Sequence, residues 1–226
     1  MHSLHARDLG HELLDGPTLD PAELRRNLRE MARLNRLPGG VGTSVAAIRD
    51  ALDHGAGEVL DVGTGGGDLP RRLLRELPAV RVTATDARPE ILAHARAWSP
   101  QDARLRLAVA DARALPFDEG SVDVVHTSLV VHHLDATEAV TALREMRRVA
   151  RRAVVVNDLR RGRLAHAITT LTILGLTHGR YTRHDGVLSS RRAYTLAELD
   201  ALAAEAGLRV MARSPSFLPR VVTTYR

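Results

Sequence analysis

A short apolar run that leads directly into a glycine-rich turn constrains the fold of this chain more than any other feature. Residues 59–68 read VLDVGTGGGD, an apolar strand pattern with the acid Asp61, then glycines, then the start of a helical pattern. Glycine adopts left-handed backbone conformations and lets a ligand lie against the main chain. The sequence therefore predicts a strand, a ligand-binding turn and a helix, the first unit of a parallel α/β sheet.

Apolar runs and helical patterns alternate along the rest of the chain. Strands are predicted over 58–62, 80–85, 105–110, 122–127, 153–157, 208–213 and 220–224. Helices are predicted over 21–37, 43–54, 68–76, 89–98, 136–149, 160–176 and 196–206. Such alternation is typical of a mostly parallel sheet covered by helices on both faces. We expect an α/β fold with seven strands, an N-terminal helical extension and a helix and loop insertion after the fifth strand.

Acidic residues end two further predicted strands. Asp86 ends the second strand, about 19 residues after the glycine turn, and Asp111 follows the third. In nucleotide-binding α/β folds, an acid in the first of these positions accepts hydrogen bonds from the ribose hydroxyls. The carboxyl ends of parallel strands share one edge, so Asp61, Asp86 and Asp111 are predicted to converge on one crevice. Structural roles stay open: Asp61 and Asp86 as caps, and Asp111 as a turn residue.

The glycine turn and the three acids together resemble the class I S-adenosylmethionine (SAM) dependent methyltransferases. The resemblance runs from about Glu58 to Asn157 and includes DARALPF at 111–117 and SVDVV at 121–125. This version is similar to the small-molecule subgroup that contains quinone-biosynthesis and polyketide-tailoring enzymes. The resemblance implies a Rossmann-like fold, SAM as cofactor and S-adenosylhomocysteine as product.

The resemblance also implies roles for particular residues. Asp61 is expected to face the α-amino group of SAM, Asp86 the ribose diol and Asp111 the adenine amino group. The other residues expected to contact the cofactor are Gly63, Thr64, Gly65, Gly67, Ala87, Ala112 and Ser128. Asn35 and Arg36 are placed near the cofactor carboxylate.

Two adjacent histidines follow the fourth predicted strand, where the resemblance places the reactive methyl group. Transfer to a hydroxyl needs an aligned acceptor and a group that takes its proton, and a neutral histidine suits that task. His133 is the first candidate for this base and His132 the second, although both could cap the next helix or pack beneath the cofactor. Asp158, after the fifth strand, is a base, an orienting partner of a histidine, or a helix cap.

A metal centre is not predicted, because no third ligand is evident near the two histidines except Asp158. The chain has no cysteine, and all 32 of its basic residues are arginine. Disulfides, zinc–thiolate sites and lysine Schiff bases are therefore excluded. A nicotinamide oxidoreductase is disfavoured, since Asp68 stands where its motif needs a third glycine or alanine.

The parts of the chain outside the resemblance are expected to bind the methyl acceptor. We predict an N-terminal helical cap over 1–56 and a SAM-binding domain over 57–226, in which 158–195 cover the substrate. The apolar helix over 163–176 predicts a hydrophobic roof, with packing on the sheet as the alternative. A loop rich in Gly, Arg and Ser is predicted over 177–192, where four residues close over the substrate or are solvated surface: Tyr181, Arg183, His184 and Asp185.

These features predict a SAM-dependent methyltransferase acting on a hydroxylated hydrophobic small molecule, with O-methylation favoured over C-methylation. A nucleic-acid methyltransferase and a SAM-binding protein that transfers no methyl group are the alternatives. A net charge of +5 is modest and aromatic residues make up only 3% of the chain, which disfavours a specific nucleic-acid partner. Residues 1–20 show no secretory signal and no apolar run has the roughly 20 residues of a membrane span, so we expect a cytoplasmic protein. The oligomeric state is not predicted.

Overall fold

A seven-stranded sheet forms the centre of the computed structural model, which describes residues 6–16, 20–99, 101–215 and 219–226. The strands are β1 Gly57–Val62, β2 Val80–Asp86, β3 Leu105–Val109, β4 Val122–Ser128, β5 Ala150–Leu159, β6 Val210–Arg213 and β7 Arg220–Tyr225. Their order across the sheet is β3-β2-β1-β4-β5-β7-β6. Strands β1 to β5 are parallel, and β7 is antiparallel to both β5 and β6. The predicted α/β fold with a mostly parallel sheet is confirmed.

Eight α-helices accompany the strands within the described part of the chain. They are α1 Pro21–Leu34, α2 Val41–Ala51, α3 Asp68–Glu76, α4 Pro89–Trp98, α5 Ala136–Val149, α6 Arg163–Leu176, α7 Arg180–Arg192 and α8 Leu196–Glu205. Short 3-10 turns lie at Leu13–Asp15 and Val131–His133. No helix among the residues described has both the length and the apolar character needed to cross a bilayer.

The sheet is buried on both faces by two separate apolar clusters. Val124 of β4 packs with α2 and α3 on one face, and the next residue, Val125, packs with α5 and α8 on the other. Val155 and Val154 of β5 divide between the faces in the same way. Because successive strand residues point to opposite faces, burial of both faces requires continuous apolar runs, which is how these strands look in sequence.

The predicted loop over 177–192 is wrong, because Arg180–Arg192 forms helix α7. Its side facing the molecule carries polar residues four positions apart rather than an apolar stripe. Asp185 accepts hydrogen bonds from the backbone N–H groups of Leu13 and Leu14, at 2.8 and 2.9 Å. Tyr181, one turn earlier, accepts from the N–H of Asp20 at 3.1 Å. Hydrophobic periodicity could not reveal this helix, because polar tertiary contacts bury its inner side.

The four residues expected to close over the substrate from that loop lie on α7 instead. Tyr181 and Asp185 are buried and hold the N-terminal segment, whereas Arg183 donates to the carbonyl oxygens of Thr177 and Leu174 at 2.8 and 3.1 Å. His184 is half-exposed beside Asp185.

Several predicted element boundaries were also wrong by a few residues. The helix predicted from residue 160 begins at Arg163, because β5 continues to Leu159 and residues 160–162 form the connection. The strand predicted from 208 begins at Val210, and the helix predicted to end at 37 ends at Leu34. Ends of elements depend on capping and sheet pairing more than on periodicity.

Candidate active site

A cavity of about 980 Å³ opens at the carboxyl ends of the central strands. Its walls come from the ends of β1, β2 and β4, from α1 and α6, and from the N-terminal segment around Glu12. Ligands of open α/β sheets bind at this edge, where the strand order reverses between β1 and β4. Most of the predicted site residues line this cavity: Asp61, Gly63, Thr64, Gly65, Asp86, Ala87, Asp111, Ala112, Ser128, His132 and His133. Gly67 and Asp158 are not among the lining residues.

In the glycine turn after β1, Gly63 lies close to a neighbouring side chain and Gly65 borders an open space. Gly63 has a φ of +72°, and a Cβ atom there would lie 2.3 Å from Cγ2 of Val130. Gly65 has a φ of +54°, and a Cβ atom there would meet nothing within 4 Å. Only glycine therefore fits at position 63 without displacing Val130, two residues after β4, while position 65 leaves room on the cavity side for a ligand.

Asp86 connects the end of β2 to the glycine turn. Its carboxylate accepts hydrogen bonds from the N–H groups of Gly65 and Arg88, both at 3.1 Å. Burial raises the pKa of Asp86, and the nearby charge of Asp61 adds to that effect. Helix α4 has Arg88 at its N-cap, so Asp86 does not cap it. Its role towards a ribose stays a prediction; Asp86 lines the cavity, and each of its two oxygens accepts one of these backbone hydrogen bonds.

Asp61 belongs to a buried polar network that the sequence reasoning missed. His126 Nδ1 donates to Asp61 at 2.8 Å, and His126 Nε2 lies 2.9 Å from the hydroxyl of Ser44. The amide of Asn157 donates to the same hydroxyl at 2.8 Å. One signal was present in the sequence: His126 interrupts the apolar pattern of β4, and a fully buried histidine needs partners on both nitrogens.

Arg220 is a second residue that the sequence reasoning missed. Its guanidinium is buried at the cavity wall and donates to Asn157, Asn35 and Ser128 at 3.2, 2.6 and 2.9 Å. Burial lowers the pKa of Arg220 to about 10, which leaves the side chain positively charged at neutral pH. Asn35, predicted to lie near the cofactor carboxylate, thus lies beside a fixed positive charge, whereas Arg36 does not line the cavity.

Asp111 lies at the same sheet edge but is less enclosed than the other two acids. Arg113 contacts its carboxylate at 2.6 Å and holds the pKa of Asp111 below its usual value. Ala110 also donates its N–H to the carbonyl oxygen of Asp86 at 3.1 Å, which ties the two strand ends together. The position agrees with a contact to an adenine, and that role stays a prediction.

His132 is held in one orientation by Asp158. Its Nδ1 lies 2.6 Å from one oxygen of Asp158, and its backbone N–H donates to the other at 3.1 Å. Burial opposes the charge of Asp158, but the charge and hydrogen bonds of His132 outweigh it and hold the pKa of Asp158 below its usual value. Because an ionised Asp158 accepts the proton on Nδ1, the neutral form of His132 carries its lone pair on Nε2. This buried nitrogen has no hydrogen-bond partner within the described residues. Helix α6 begins after Gly162, so Asp158 does not cap it.

His133 has different surroundings from its neighbour. Its Nδ1 lies 3.2 Å from Asp15 and 3.6 Å from Glu12, both in the N-terminal segment. Glu12 is buried, accepts a hydrogen bond from Ser189 at 2.9 Å, and has its pKa raised to about 7 by burial. The sequence reasoning missed both acids, because nothing local connects them to residues more than a hundred positions away.

The N-terminal segment is fastened at this end of the cavity by Arg7. Its guanidinium donates to the carbonyl oxygens of His132 and Leu134 at 2.8 and 3.0 Å. It also lies 3.7 Å from the ring centre of Tyr194, a cation–π contact. These bonds, with those of Asp185 to the backbone, bring Glu12 and Asp15 beside the histidines.

The methyltransferase domain family matches residues 59–153, the part that runs from β1 into β5. This part of the chain is similar to methyltransferase domains, although the match covers less than half of the chain. The predicted family resemblance is confirmed. The match includes the glycine turn, Asp86, Asp111 and the three cavity histidines, but neither Glu12 nor Arg220.

Relatives of known name are similar to the same part of the chain. A ubiquinone/menaquinone biosynthesis C-methyltransferase of Geobacter sp. (strain M21) is 34% identical over 107 residues, which cover 46% of this chain and 45% of that one. A malonyl-[acyl-carrier protein] O-methyltransferase of Halorhodospira halophila is 38% identical over 91 residues, which cover 40% and 30%. The chain thus spans less than half the length of these curated relatives.

Solved structures share the fold over a longer part of the chain. A SAM-dependent methyltransferase from Aquifex aeolicus has a TM-score of 0.65 at 18% identity, covering 92% of this chain and 98% of that one. Human N-acetylserotonin methyltransferase in complex with SAM has a TM-score of 0.67 at 16% identity, covering 92% and 56%. At these identities the likeness concerns the fold.

The residues at the cavity fit SAM, the cofactor of this domain family. The open space beside Gly65 lies at the turn after β1, where Gly65 lines the cavity. The buried hydroxyl of Thr64, in the same turn, has no hydrogen-bond partner among the residues described. Buried polar groups normally have hydrogen-bond partners, because an unpaired one is energetically unfavourable. A polar ligand at this turn would supply the partner that the Thr64 hydroxyl lacks. Carboxylates on one side and the Arg220 guanidinium on the other suit a ligand that carries both an ammonium and a carboxylate group.

Proposed function

We propose that this protein is a SAM-dependent methyltransferase of hydroxylated, hydrophobic small molecules such as phenols, quinols or polyketides, and that oxygen is the preferred acceptor atom. One observation carries the proposal: a single cavity extends from the glycine turn to His132, whose buried Nε2 has no hydrogen-bond partner among the described residues. One end has the groups a SAM cofactor needs, and the other has a basic nitrogen among apolar walls.

The proposed cofactor contacts use the buried network at the strand ends. Asp61 faces the α-amino group, Asp86 the ribose hydroxyls, and Asp111 the adenine amino group. Arg220 is the proposed partner of the cofactor's carboxylate, because its charge is buried beside Asn35 at the cavity wall. The smaller contacts come from Gly63, Thr64, Gly65, Ala87, Ala112 and Ser128, whereas Gly67 does not line the cavity. Bound SAM supplies an electrophilic methyl group and leaves as S-adenosylhomocysteine.

The proposed acceptor pocket is formed by the flanking parts of the chain. Helix α1 packs on α7 and α7 packs on α6, so the N-terminal cap and the segment over 158–195 form one cover above the cavity. Apolar side chains line this end, including Leu14, Met31, Ile168 and Ile173. Such walls favour a hydrophobic ring or chain over a polar substrate.

The proposed reactive end contains His132, Asp158 and His133. Asp158 does not line the cavity, and we assign it the orientation of His132 rather than contact with the acceptor. The unpartnered Nε2 favours His132 over His133 as the atom nearest the reaction, since Asp15 contacts His133 Nδ1. We favour oxygen over carbon as acceptor, because a hydroxyl matches a lone-pair nitrogen among apolar walls. The named relatives include both a C- and an O-methyltransferase.

The first experiment is a calorimetric titration of the purified protein with SAM, S-adenosylhomocysteine and NADH. We expect binding of the first two and none of NADH. Phenols, quinols and polyketides are then incubated with protein and SAM, and methylated products are identified by mass spectrometry and assigned as ethers or C-methyl compounds. Failure to bind SAM and S-adenosylhomocysteine would refute the proposal, whereas binding with only C-methyl products would refute the preference for oxygen.

A further inference from the structure

Three side chains from two distant parts of the chain meet at the acceptor end of the cavity. Glu12 comes from the N-terminal segment, and His132 and His133 come from the turn after β4. Each offers one atom able to bind a metal ion, and these atoms all lie within 4.8 Å of one another. Glu12 and His132 are 4% and 2% exposed, and all three residues line the cavity.

The orientation of His132 matches that of a histidine ligand. Its Nδ1 proton is held by the Asp158 carboxylate, and its Nε2 lone pair has no partner among the described side chains. In metal sites, a carboxylate commonly binds the distal nitrogen of a ligating histidine and fixes its ring in this way. A buried nitrogen without a partner is costly, and an ion at this point explains it.

The charges around the three side chains favour a cation. Glu12, Asp15 and Asp185 lie on the N-terminal segment and α7, and Asp158 lies behind His132. Arg192 offsets part of this charge, with its guanidinium 3.1 Å from Asp15 and 3.8 Å from Glu12. Arg7 is directed to backbone carbonyl groups and to Tyr194 instead.

We propose that Glu12, His132 and His133 bind one divalent transition-metal ion of the Zn²⁺ type. Two imidazoles and one carboxylate suit borderline ions such as Zn²⁺ and Co²⁺ rather than Mg²⁺, which prefers oxygen ligands. Zinc lies about 2.0–2.2 Å from such ligands, so binding draws the three atoms together by roughly 1 Å. Three protein ligands leave a coordination position free, as in catalytic zinc sites.

The three ligand residues line the cavity where the acceptor is proposed to bind, so a free coordination position could be reached from it. This consequence rests on the proposed function: the metal takes up the acceptor hydroxyl oxygen as a ligand and lowers the pKa of that hydroxyl. Its O–H bond breaks, the electron pair stays on oxygen, and the proton leaves to solvent. His132 and Asp158, which resemble a general base and its orienting partner, would then promote the loss of the proton by holding the metal ion.

The test uses the full chain without an affinity tag, stripped of metals with a chelator and free of SAM. Calorimetric titration with ZnCl₂ gives stoichiometry and affinity, and titration with CoCl₂ gives the visible absorption of bound cobalt. We expect one ion per chain at the strongest site, and no comparable binding of MgCl₂. Glu12→Gln keeps an acceptor for Ser189 but removes the charged ligand, and we expect at least a tenfold loss of zinc affinity.

Glu138→Gln is the matched control, because Glu138 lines the same cavity but pairs with Arg113 rather than with the histidines. It is expected to bind zinc like the unaltered protein. Should Glu12→Gln fail to fold, as judged by thermal unfolding, His133→Gln takes its place, since His133 is partly exposed.

Equal zinc affinity in Glu12→Gln and the unaltered protein would overturn the proposal, as would the absence of a one-to-one site. Weak zinc binding that comes only from surface histidines would also overturn the proposal. A parallel SAM titration separates the two proposals: SAM binding without zinc binding refutes only the metal site. Zinc binding without SAM binding refutes the proposed methyltransferase and leaves the metal site intact.

Discussion

Replacement of Asp86 by alanine is the sharpest test of the cofactor site. The side chain is already buried, so SAM binding removes little further water from its carboxylate. Each hydrogen bond between a charged group and a hydroxyl contributes about 1.5–3 kcal/mol, and the proposed contact has two. Asp86→Ala is therefore expected to cost about 3–6 kcal/mol of binding free energy, a loss of roughly 10²–10⁴-fold in affinity.

Asp86→Ala is not expected to lower the stability of the fold as it lowers the affinity for the cofactor. Burial raises the pKa of Asp86, so the folded state favours the protonated form of this carboxyl group. Its contribution to stability is then present at low pH and is lost as the pH rises through the raised pKa. At neutral pH the ionised carboxylate is a local cost, so Asp86→Ala is expected to leave the unfolding temperature unchanged or higher, apart from the lost contact to Gly65.

The assay is calorimetric titration with S-adenosylhomocysteine at neutral pH, with thermal unfolding recorded for each variant. Asp86→Asn keeps an acceptor oxygen for Gly65 and is expected to bind with intermediate affinity. Asp50→Ala, an exposed acid of α2 far from the cavity, serves as control and is expected to match the unaltered protein. An affinity of Asp86→Ala within about threefold of the unaltered protein would refute the assigned role.

Three further predictions concern the same cavity. Lowering the pH towards the raised pKa of Asp86 is expected to weaken S-adenosylhomocysteine binding in calorimetric titrations, and Asp86→Asn is expected to lose that pH dependence. His132→Gln is expected to retain cofactor binding and to lower turnover by about 10²-fold in a product assay; unchanged turnover would remove His132 from the reaction. Gly63→Ala is expected to lower the unfolding temperature, because the added Cβ would collide with Val130. Gly65→Ala is the comparison, since a Cβ there meets nothing within 4 Å. An equal fall in unfolding temperature for the two variants would show that the collision with Val130 is not the cause.

The cofactor half of the cavity was largely predictable. The strand, the glycine turn and the acid at the end of the next strand are local patterns, and parallel strands necessarily bring their carboxyl ends to one edge. Asp61 and Asp86 therefore lie where the sequence analysis expected them. His126 was missed, although a histidine within the apolar run of β4 was a visible signal.

The acceptor half was much less predictable. Helix α7 was taken for a loop, because its inner side is buried by polar contacts such as Asp185 with the backbone of Leu13. Arg220 was taken only as the start of the last strand, although the antiparallel pairing of β7 with β5 places it beside Asn157. No local pattern encodes either contact.

By itself, the sequence determined the α/β fold, the glycine turn and the acidic residues at the strand ends that face the cofactor. Hydrophobic periodicity, chain direction and glycine content are local properties of the sequence, which is why they could be recognised. Only the tertiary structure decided which groups surround the two histidines. Asp15 and His133 are 118 positions apart, and they meet because Arg7 and Asp185 fasten the N-terminal segment over the end of β4. Such contacts depend on how separate elements pack, and packing of this kind leaves no periodic trace in the residues that take part.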